Sequence, residues 1–371
     1  MGGAHHVNGP VLVLGTGLLG ASIGLGLSRL GVDVRLSDPS PTAQLVAQDI
    51  GAGRVLAPGD ALEPQLVVVA APPDVAAAVV ADALRVYAGA TVIDIASVKA
   101  SILRSLQDDV AAGRLGAEQL RRYVGTHPMA GREKSGPAAA RGELFTAMPW
   151  VVCAHETSDP AAVRVAGDVA IDLGATVVRL DAAEHDAAVA LVSHFPQIAS
   201  SLLASRLMNA PAHALALAGN GLRDTTRIAA SDPKLWIQIL SHNAPELVTI
   251  LHGLREDLNR LIATLEAPDA EGAHLDLAEL MSQGNAGQAR IPGKHGAPPQ
   301  AFAVVTVIVD DRPGQIAELL TAVGEAGINL EDLRMEHSSG HQVGLVEMSV
   351  LPGRSAELTE FLTQRKWKVI Q

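Results

Sequence analysis

One cysteine, Cys153, occurs in 371 residues, so no intramolecular disulfide can form. A lone thiol fits a reducing cytoplasm. Within the strand-like run WVVCA it reads as a small buried apolar residue. Aromatic residues make up only 2% of the chain, while hydrophobic residues reach 48%. Cores must therefore be built from Ala, Leu and Val. No HExxH or CxxC occurs and the 13 histidines are scattered, so no metal site is expected. No apolar run reaches the roughly 18 unbroken residues of a membrane span, so no membrane partner is expected. The opening MGGAHHVNGP lacks the basic and apolar regions of a signal peptide. It reads as a disordered lead-in over residues 1–10. Positive charge is also scarce: 28 Lys and Arg face 40 Asp and Glu, a net charge of −12. Without a basic stripe to replace counterions, a nucleic-acid partner is not expected. An anionic substrate would need a locally basic pocket.

What is present starts at Val11. A strand-like run, Val11 to Leu14, enters Gly15-Thr16-Gly17-Leu18-Leu19-Gly20. A helical run follows to Leu30, Gly31 closes it, and a second strand-like run ends at Asp38. This βαβ pattern predicts a Rossmann-type dinucleotide site. Gly15 permits the tight turn, Gly17 admits the pyrophosphate, and Gly20 lets the helix pack closely. Free N–H groups from Gly17 and Leu18 onward, with the positive end of the helix dipole, favour an anion. Asp38 stands where a carboxylate accepts from the ribose hydroxyls and repels a 2′-phosphate, which favours NAD over NADP. A glycine turn that binds nothing would not need this context.

The α/β alternation continues. QLVVVAA (65–71) is a buried strand ending at Pro72, a cofactor-side candidate, and TVIDIA (91–96) is another, ending at Ser97. Tyr123 to Thr126 is a short strand ending at His127-Pro128, and Trp150 to Ala154 and Ala175 to Leu180 complete the sheet. Functional groups in such sheets gather at the carboxyl ends of strands. From about Ala182 strands vanish, and apolar helices run to about Met281. Their surplus of apolar residues points to a dimer core. Residues 283–300, QGNAGQARIPGKHGAPPQ, read as a linker, in which Arg290 and Lys294 either stay solvated or reach an anion. Residues 301–371 form a βαββαβ pattern. The expected architecture is a lead-in (1–10), a Rossmann-type domain (11–181), an all-helical domain (182–282), a linker (283–300) and a small α+β module (301–371).

Pro128 biases His127 away from helical geometry. A histidine facing a nicotinamide at a strand end can accept a hydroxyl proton as hydride leaves the same carbon, an effect worth about 10²–10⁴-fold. The plainer alternative is a hydrogen-bonded structural histidine. His194 and Gln197 flank Pro196 in SHFPQ and share a helix face at a break. They line a cleft or merely cap a bend. Arg223 and Arg227 stand four apart, and either could grip a carboxylate through two parallel hydrogen bonds. A solvated face is the alternative. Trp236 reads as core.

DIASVK (94–99), THPMAGREKSG (126–136), SHFPQ (193–197), RDTTRIAASDPKLW (223–236) and IPGKHG (291–296) together resemble prephenate dehydrogenases. The DRPG turn (311–314) and GIN segment (327–329) resemble an ACT domain. The resemblance implies oxidative decarboxylation of prephenate to 4-hydroxyphenylpyruvate with NAD, in tyrosine biosynthesis, by a homodimer. It makes His127 the catalytic histidine, with Ser97 orienting it, Arg227 gripping the ring carboxylate and His194 lining the cleft. It also implies an aromatic amino acid effector, tyrosine above all, held by Asp311, Gly314 and Asn329. Many members carry a second histidine where this chain has Gln197, which opens the choice between prephenate and arogenate. Glutamine cannot carry charge. Two competing readings differ in class. Hydroxyacid dehydrogenases of the 3-hydroxyisobutyrate kind place a catalytic lysine on the first long helix of the second domain, and Ala187 to Leu207 contains none. A non-catalytic NAD- and amino-acid-sensing regulator would not need the Ser97–His127 pair.

Overall fold

Short strands, most of them rich in Val, Leu and Ile, build the first sheet. The computed structural model describes residues 5–57, 59–131, 135–292, 301–337 and 343–370. The strands are β1 Val11–Leu14, β2 Val34–Ser37, β3 Arg54–Val55, β4 Leu66–Val69, β5 Thr91–Asp94, β6 Tyr123–Pro128, β7 Pro149–Cys153 and β8 Thr176–Arg179. They lie in the order β3-β2-β1-β4-β5-β6-β7-β8. All pairs are parallel except β6 with β7. The chain order reverses at β1, whose neighbours are β2 and β4, so the crevice beyond their carboxyl ends is the place for a ligand. Helices cover both faces. Val11 and Val13 point into one core while Leu12 points into the other. β4 is buried at every position, as a strand covered on both faces must be.

The chain forms two units, Met1–Arg255 and Glu256–Gln371. The change of composition near Ala182 falls within the first of these units. Helix Ala182–Val189 is fastened to the start of helix Ala100–Ala111 through Asp186. The lead-in needs a correction. Of its described part, Val7 is 2% exposed within the first core, and the His6 and Val7 amides donate to Asp172 at 2.8–3.0 Å. Composition hid this because one valine sets no period. The His6 ring also bonds Asp172, which raises its pKa.

In the second unit, helix Ala273–Gln288 takes the first six residues of the stretch read as linker, despite Gly284 and Gly287. Arg290 follows it and is exposed; Lys294 lies outside the described residues. The module then runs β9 Ala303–Asp310, helix Gln315–Glu325, β10 Asp332–His337, β11 Val343–Val350, helix Ser355–Gln364 and β12 Lys368–Ile370. This is the expected βαββαβ order. Its antiparallel sheet runs β10-β11-β9-β12. Val305, Val307 and Val309 alternate into its core against Leu319, Val323, Leu358 and Leu362.

Candidate active site

The glycine turn leaves β1 as its spacing requires. Gly15 has φ +100°, and a Cβ there would lie 2.4 Å from the Ala70 carbonyl oxygen. A Cβ on Gly20 would lie 2.0 Å from the Gly15 carbonyl oxygen, whereas one on Gly17 would meet nothing within 4 Å. Gly15 and Gly20 thus serve the fold, and Gly17 leaves open space at the start of helix Leu18–Arg29. Asp38 closes the turn from the side. Its Oδ2 accepts from the Thr16 amide at 2.6 Å and the Thr16 hydroxyl at 3.0 Å, and its Oδ1 from the Ser40 amide at 2.8 Å. The carboxylate expected to meet a ribose also holds the turn's own backbone. Pro72 precedes helix Pro73–Val86, three residues past the end of β4, and is exposed.

β6 runs beyond its parallel neighbour, since Gly125 pairs with the last residue of β5. His127 therefore stands past β5, paired across β7 with Val151. It lies on the same strand edge as the glycine turn, three strand spacings or about 14 Å along the sheet. A buried network fixes this end. Lys99 Nζ donates to Asp94 Oδ1 and, at 2.8 Å, to the Thr126 carbonyl. The Tyr123 hydroxyl donates to Asp94 Oδ2 at 2.8 Å, and the Thr126 hydroxyl to the Asp94 carbonyl at 2.6 Å. Gly125 makes room: a Cβ there would lie 3.1 Å from Lys99 Cδ. Burial and the Asp94 carboxylate push the Tyr123 phenol well above its ordinary value.

His127 is 8% exposed, with Nδ1 2.8 Å from His185 Nε2. His185 Nδ1 in turn lies 2.8 Å from Asp186 Oδ1. The two rings meet edge to face, with centroids 5.1 Å apart. Burial pushes the His127 imidazole well below its ordinary value, and His185, Lys99 and His194 add to the effect. The ring is therefore neutral at pH 7 and able to take a proton. Sequence reasoning missed His185 and Asp186. A His-Asp dyad on an Ala-rich helix was the available signal. Lys99 stood in the motif without a role.

His194 is reached through a break in the helix. Ala190–His194 is a π-turn, and helix Phe195–Ser205 follows with Pro196 near its start. Proline cannot donate to a carbonyl four residues back, so the ladder shifts there. Asn243 Nδ2 donates to the Asp186 carbonyl at 2.8 Å and contacts His194 Nδ1 at 3.1 Å. A carbonyl can only accept, so the Asn243 amide turns its NH₂ toward both groups and His194 Nδ1 is the acceptor. His194 then carries its proton on Nε2, which is buried without a partner among the described residues. Burial lowers its pKa to about 4, against the Asp186 carboxylate. Trp236, read as core, is half-buried and lies edge-on to this ring at 6.0 Å.

The helical run Ala182–Ser205, π-turn included, is long and apolar enough by composition to cross a membrane. It carries His185, Asp186, His194 and Gln197 as buried polar groups. Gln197 is 6% exposed, donates to Ser201 Oγ at 3.4 Å and lies 3.3 Å from Ser231 Oγ. That contact ties the segment after Arg227 to the helix bearing His194. Arg227 opens the turn Arg227–Ala230 and is exposed, as is Arg223. Ser97 is half-buried at the bend after β5, with no hydrogen bond to His127 among the described residues. Arg132 to Lys134 lie outside the described residues. Cys153 is buried, and burial pushes its thiol up to about 12. A separate cavity of about 580 Å³, lined by Arg104, Gln107, His155 and Asp181 among others, contains none of these groups.

Comparison with known proteins places these residues in a family. Residues 23–179 match the model of the prephenate dehydrogenase nucleotide-binding domain, and residues 181–283 that of the prephenate dehydrogenase dimerization domain. A probable prephenate dehydrogenase of Streptomyces niveus is 37% identical over 96% of this chain and 98% of its own. The Aquifex aeolicus prephenate dehydrogenase, solved with hydroxyphenyl propionate and NAD+, is 25% identical with TM-score 0.64, over 74% of this chain and 97% of its own. Synechocystis arogenate dehydrogenase is 25% identical with TM-score 0.60, over 75% of this chain and 98% of its own.

Proposed function

The chain belongs to the prephenate dehydrogenase family, and on that premise we propose that it converts prephenate to 4-hydroxyphenylpyruvate by NAD-dependent oxidative decarboxylation, in tyrosine biosynthesis. The glycine turn fits a dinucleotide, because the space a Cβ on Gly17 would enter is open. The first amides of helix Leu18–Arg29 are there to meet the pyrophosphate. NAD, when bound, supplies the hydride acceptor. The observation that carries the reading is His127: a buried, neutral imidazole on the strand edge that also bears the glycine turn. Its Nε2 takes the substrate hydroxyl proton as hydride leaves the carbon bearing that hydroxyl. Loss of CO₂ then leaves an aromatic ring, which makes the step strongly downhill. His194 offers an Nε2–H to a substrate oxygen, Ser97 orients the hydroxyl, and Arg227 grips the ring carboxylate. A cytoplasmic setting fits the single buried cysteine.

Arogenate is the second reading, and Gln197 is its reason. Its uncharged amide does not select between a keto and an amino side chain by charge. Steady-state assays with prephenate and arogenate, each with NAD and NADP, test both readings. We expect prephenate with NAD to give the highest kcat/KM. Preference for arogenate would replace the first reading, and turnover of neither would reject both.

The C-terminal module serves, in this reading, as an ACT-type regulatory domain for tyrosine or another aromatic amino acid. Asp311 and Gly314 precede helix Gln315–Glu325 and Asn329 follows it. Eleven residues of helix span about 16 Å, too far for one amino acid to bridge. A site using both ends therefore needs two copies of the chain. Asn329 donates to Glu331 at 2.8 Å, a bond an effector would have to replace.

A further inference from the structure

His127 ends a buried chain whose direction backbone groups dictate. The first N–H groups of a helix have no carbonyl of their own. At the start of helix Ala100–Ala111 Asp186 takes two amides: Lys99 N–H donates to Oδ1 at 2.8 Å and Ala100 N–H to Oδ2 at 2.9 Å. A carboxyl group accepting at both oxygens is held as a carboxylate. It can only accept from its remaining neighbour, His185 Nδ1, at 2.8 Å. His185, fully buried, therefore carries its proton on Nδ1 and leaves Nε2 bare. A bare nitrogen accepts, so the 2.8 Å contact is a donation from His127 Nδ1–H. The lone pair of His127 Nε2 is what remains.

We propose that His185 and Asp186 are positioning residues for this reaction, holding His127 as the Nδ1–H tautomer so that its Nε2 lone pair faces the substrate hydroxyl. The proposal rests on His127 being the base of the dehydrogenation. No proton moves along the chain. When Nε2 gains the hydroxyl proton, Nδ1–H still donates to His185, and the new cation lies two hydrogen bonds from a fixed carboxylate. The charged and titratable groups around His127 are Lys99 before helix Ala100–Ala111, His185 and Asp186 on helix Ala182–Val189, and His194 at the π-turn. His185, Lys99 and His194 all disfavour the cation, and Asp186 is the carboxylate joined to His127 through His185. In serine proteases, changing the orienting aspartate to asparagine reverses the histidine tautomer and costs about 10⁴ in kcat. Here the carboxylate acts through one more ring, so the expected loss is smaller.

His185→Phe keeps an aromatic ring and removes the acceptor. We expect kcat to fall about 10²-fold, with KM and NAD affinity held near their wild-type values. His185→Gln, whose amide oxygen can accept from His127, should recover much of the loss. Nitrogen-15 NMR of histidine-labelled protein reads the tautomers without substrate. The wild type should show His127 protonated at Nδ1 and bare at Nε2, and His185→Phe should move the proton toward Nε2. A wild-type His127 protonated at Nε2 would overturn the proposal even if the variant failed to fold. Unchanged turnover in His185→Phe would overturn it too. If wild-type protein turns over neither prephenate nor arogenate, the reading of the reaction fails, while the NMR result still judges the tautomer.

Discussion

Gly17 and Gly20 lie three residues apart in one motif and answer to different forces. A methyl group on Gly20 would collide with the Gly15 carbonyl at 2.0 Å, while one on Gly17 would enter open space. Gly20→Ala should cost about 1–3 kcal/mol of stability, read as a lower Tm. Gly17→Ala should leave Tm unchanged and weaken NAD in a binding titration. Equal Tm for both variants would show that the motif does not divide this way. His127→Asn should abolish most turnover while NAD affinity holds. Its pH behaviour follows from burial. Because the His127 pKa lies well below 6.5, the acid limb of kcat/KM should also fall below pH 6.5. Stability has its own window. An imidazole depressed in the fold binds fewer protons than in the unfolded chain, so its contribution is complete above pH 6.5. For His194 it is lost as pH falls from 6.5 toward about 4. Each unit of displacement is worth about 1.4 kcal/mol. Tm measured against pH should fall less steeply over that range in His194→Gln than in wild type. At this scale the sequence made the residues with a local signature legible: glycines, a histidine before proline, an arginine pair. The His185-Asp186 pair stood in the sequence without its role, because a carboxylate that caps one helix while sitting on another shows that cap only in the fold.

Two elements set the angles at which these side chains arrive. The first is the bend from β5 into helix Ala100–Ala111, built around Lys99 and Asp94, which are 1% and 0% exposed. Lys99 also holds the carbonyl next to His127. Removing one partner of such a buried pair leaves an uncompensated charge and costs about 3–5 kcal/mol. Lys99→Met should therefore lower Tm strongly, and Asp94→Asn in the same chain should recover part of the loss. Failure of the second change to help would mean that the carboxylate is not what Lys99 neutralises. The second element is the π-turn Ala190–His194, between His185 and His194. It holds one residue more than an α-turn, and each residue rotates the helix by about 100°. Pro196→Ala removes the reason for the shift. The helix should become regular, His194 should lose Asn243, and turnover should fall while Tm stays or rises. Pro196 marked the break in the sequence. The π-turn was not legible, because it depends on packing His185 and His194 against one wall at once.

At the scale of the molecule, the alternation of strands and helices was readable because β1, β4 and β7 are short and mostly apolar. The lead-in and the start of the linker were not. Val7 is fixed by a distant carboxylate on Asp172, and helix Ala273–Gln288 runs through two glycines. Composition sees no long-range bond, and two glycines read as a break where the helix in fact continues. What stays unexplained by either unit alone is the apolar surface of the helical region: Leu202, Met208, Leu217 and Ile237 are 54%, 81%, 85% and 65% exposed. A single exposed apolar side chain needs no partner, but four large ones between residues 202 and 237 point to one. The matching family model is described as a dimerization domain, and a second copy of this face is the occupant that fits. Leu217 is among the most exposed of these residues and is uncharged, so Leu217→Asp would bury a carboxylate in each half of a symmetric interface. Light scattering after gel filtration should give a dimer for the wild type and a monomer, or a concentration-dependent mixture, for Leu217→Asp. If tyrosine binds across two C-terminal modules, its inhibition should weaken in the same variant at low protein concentration. A dimeric Leu217→Asp with unchanged inhibition would place the interface on another face.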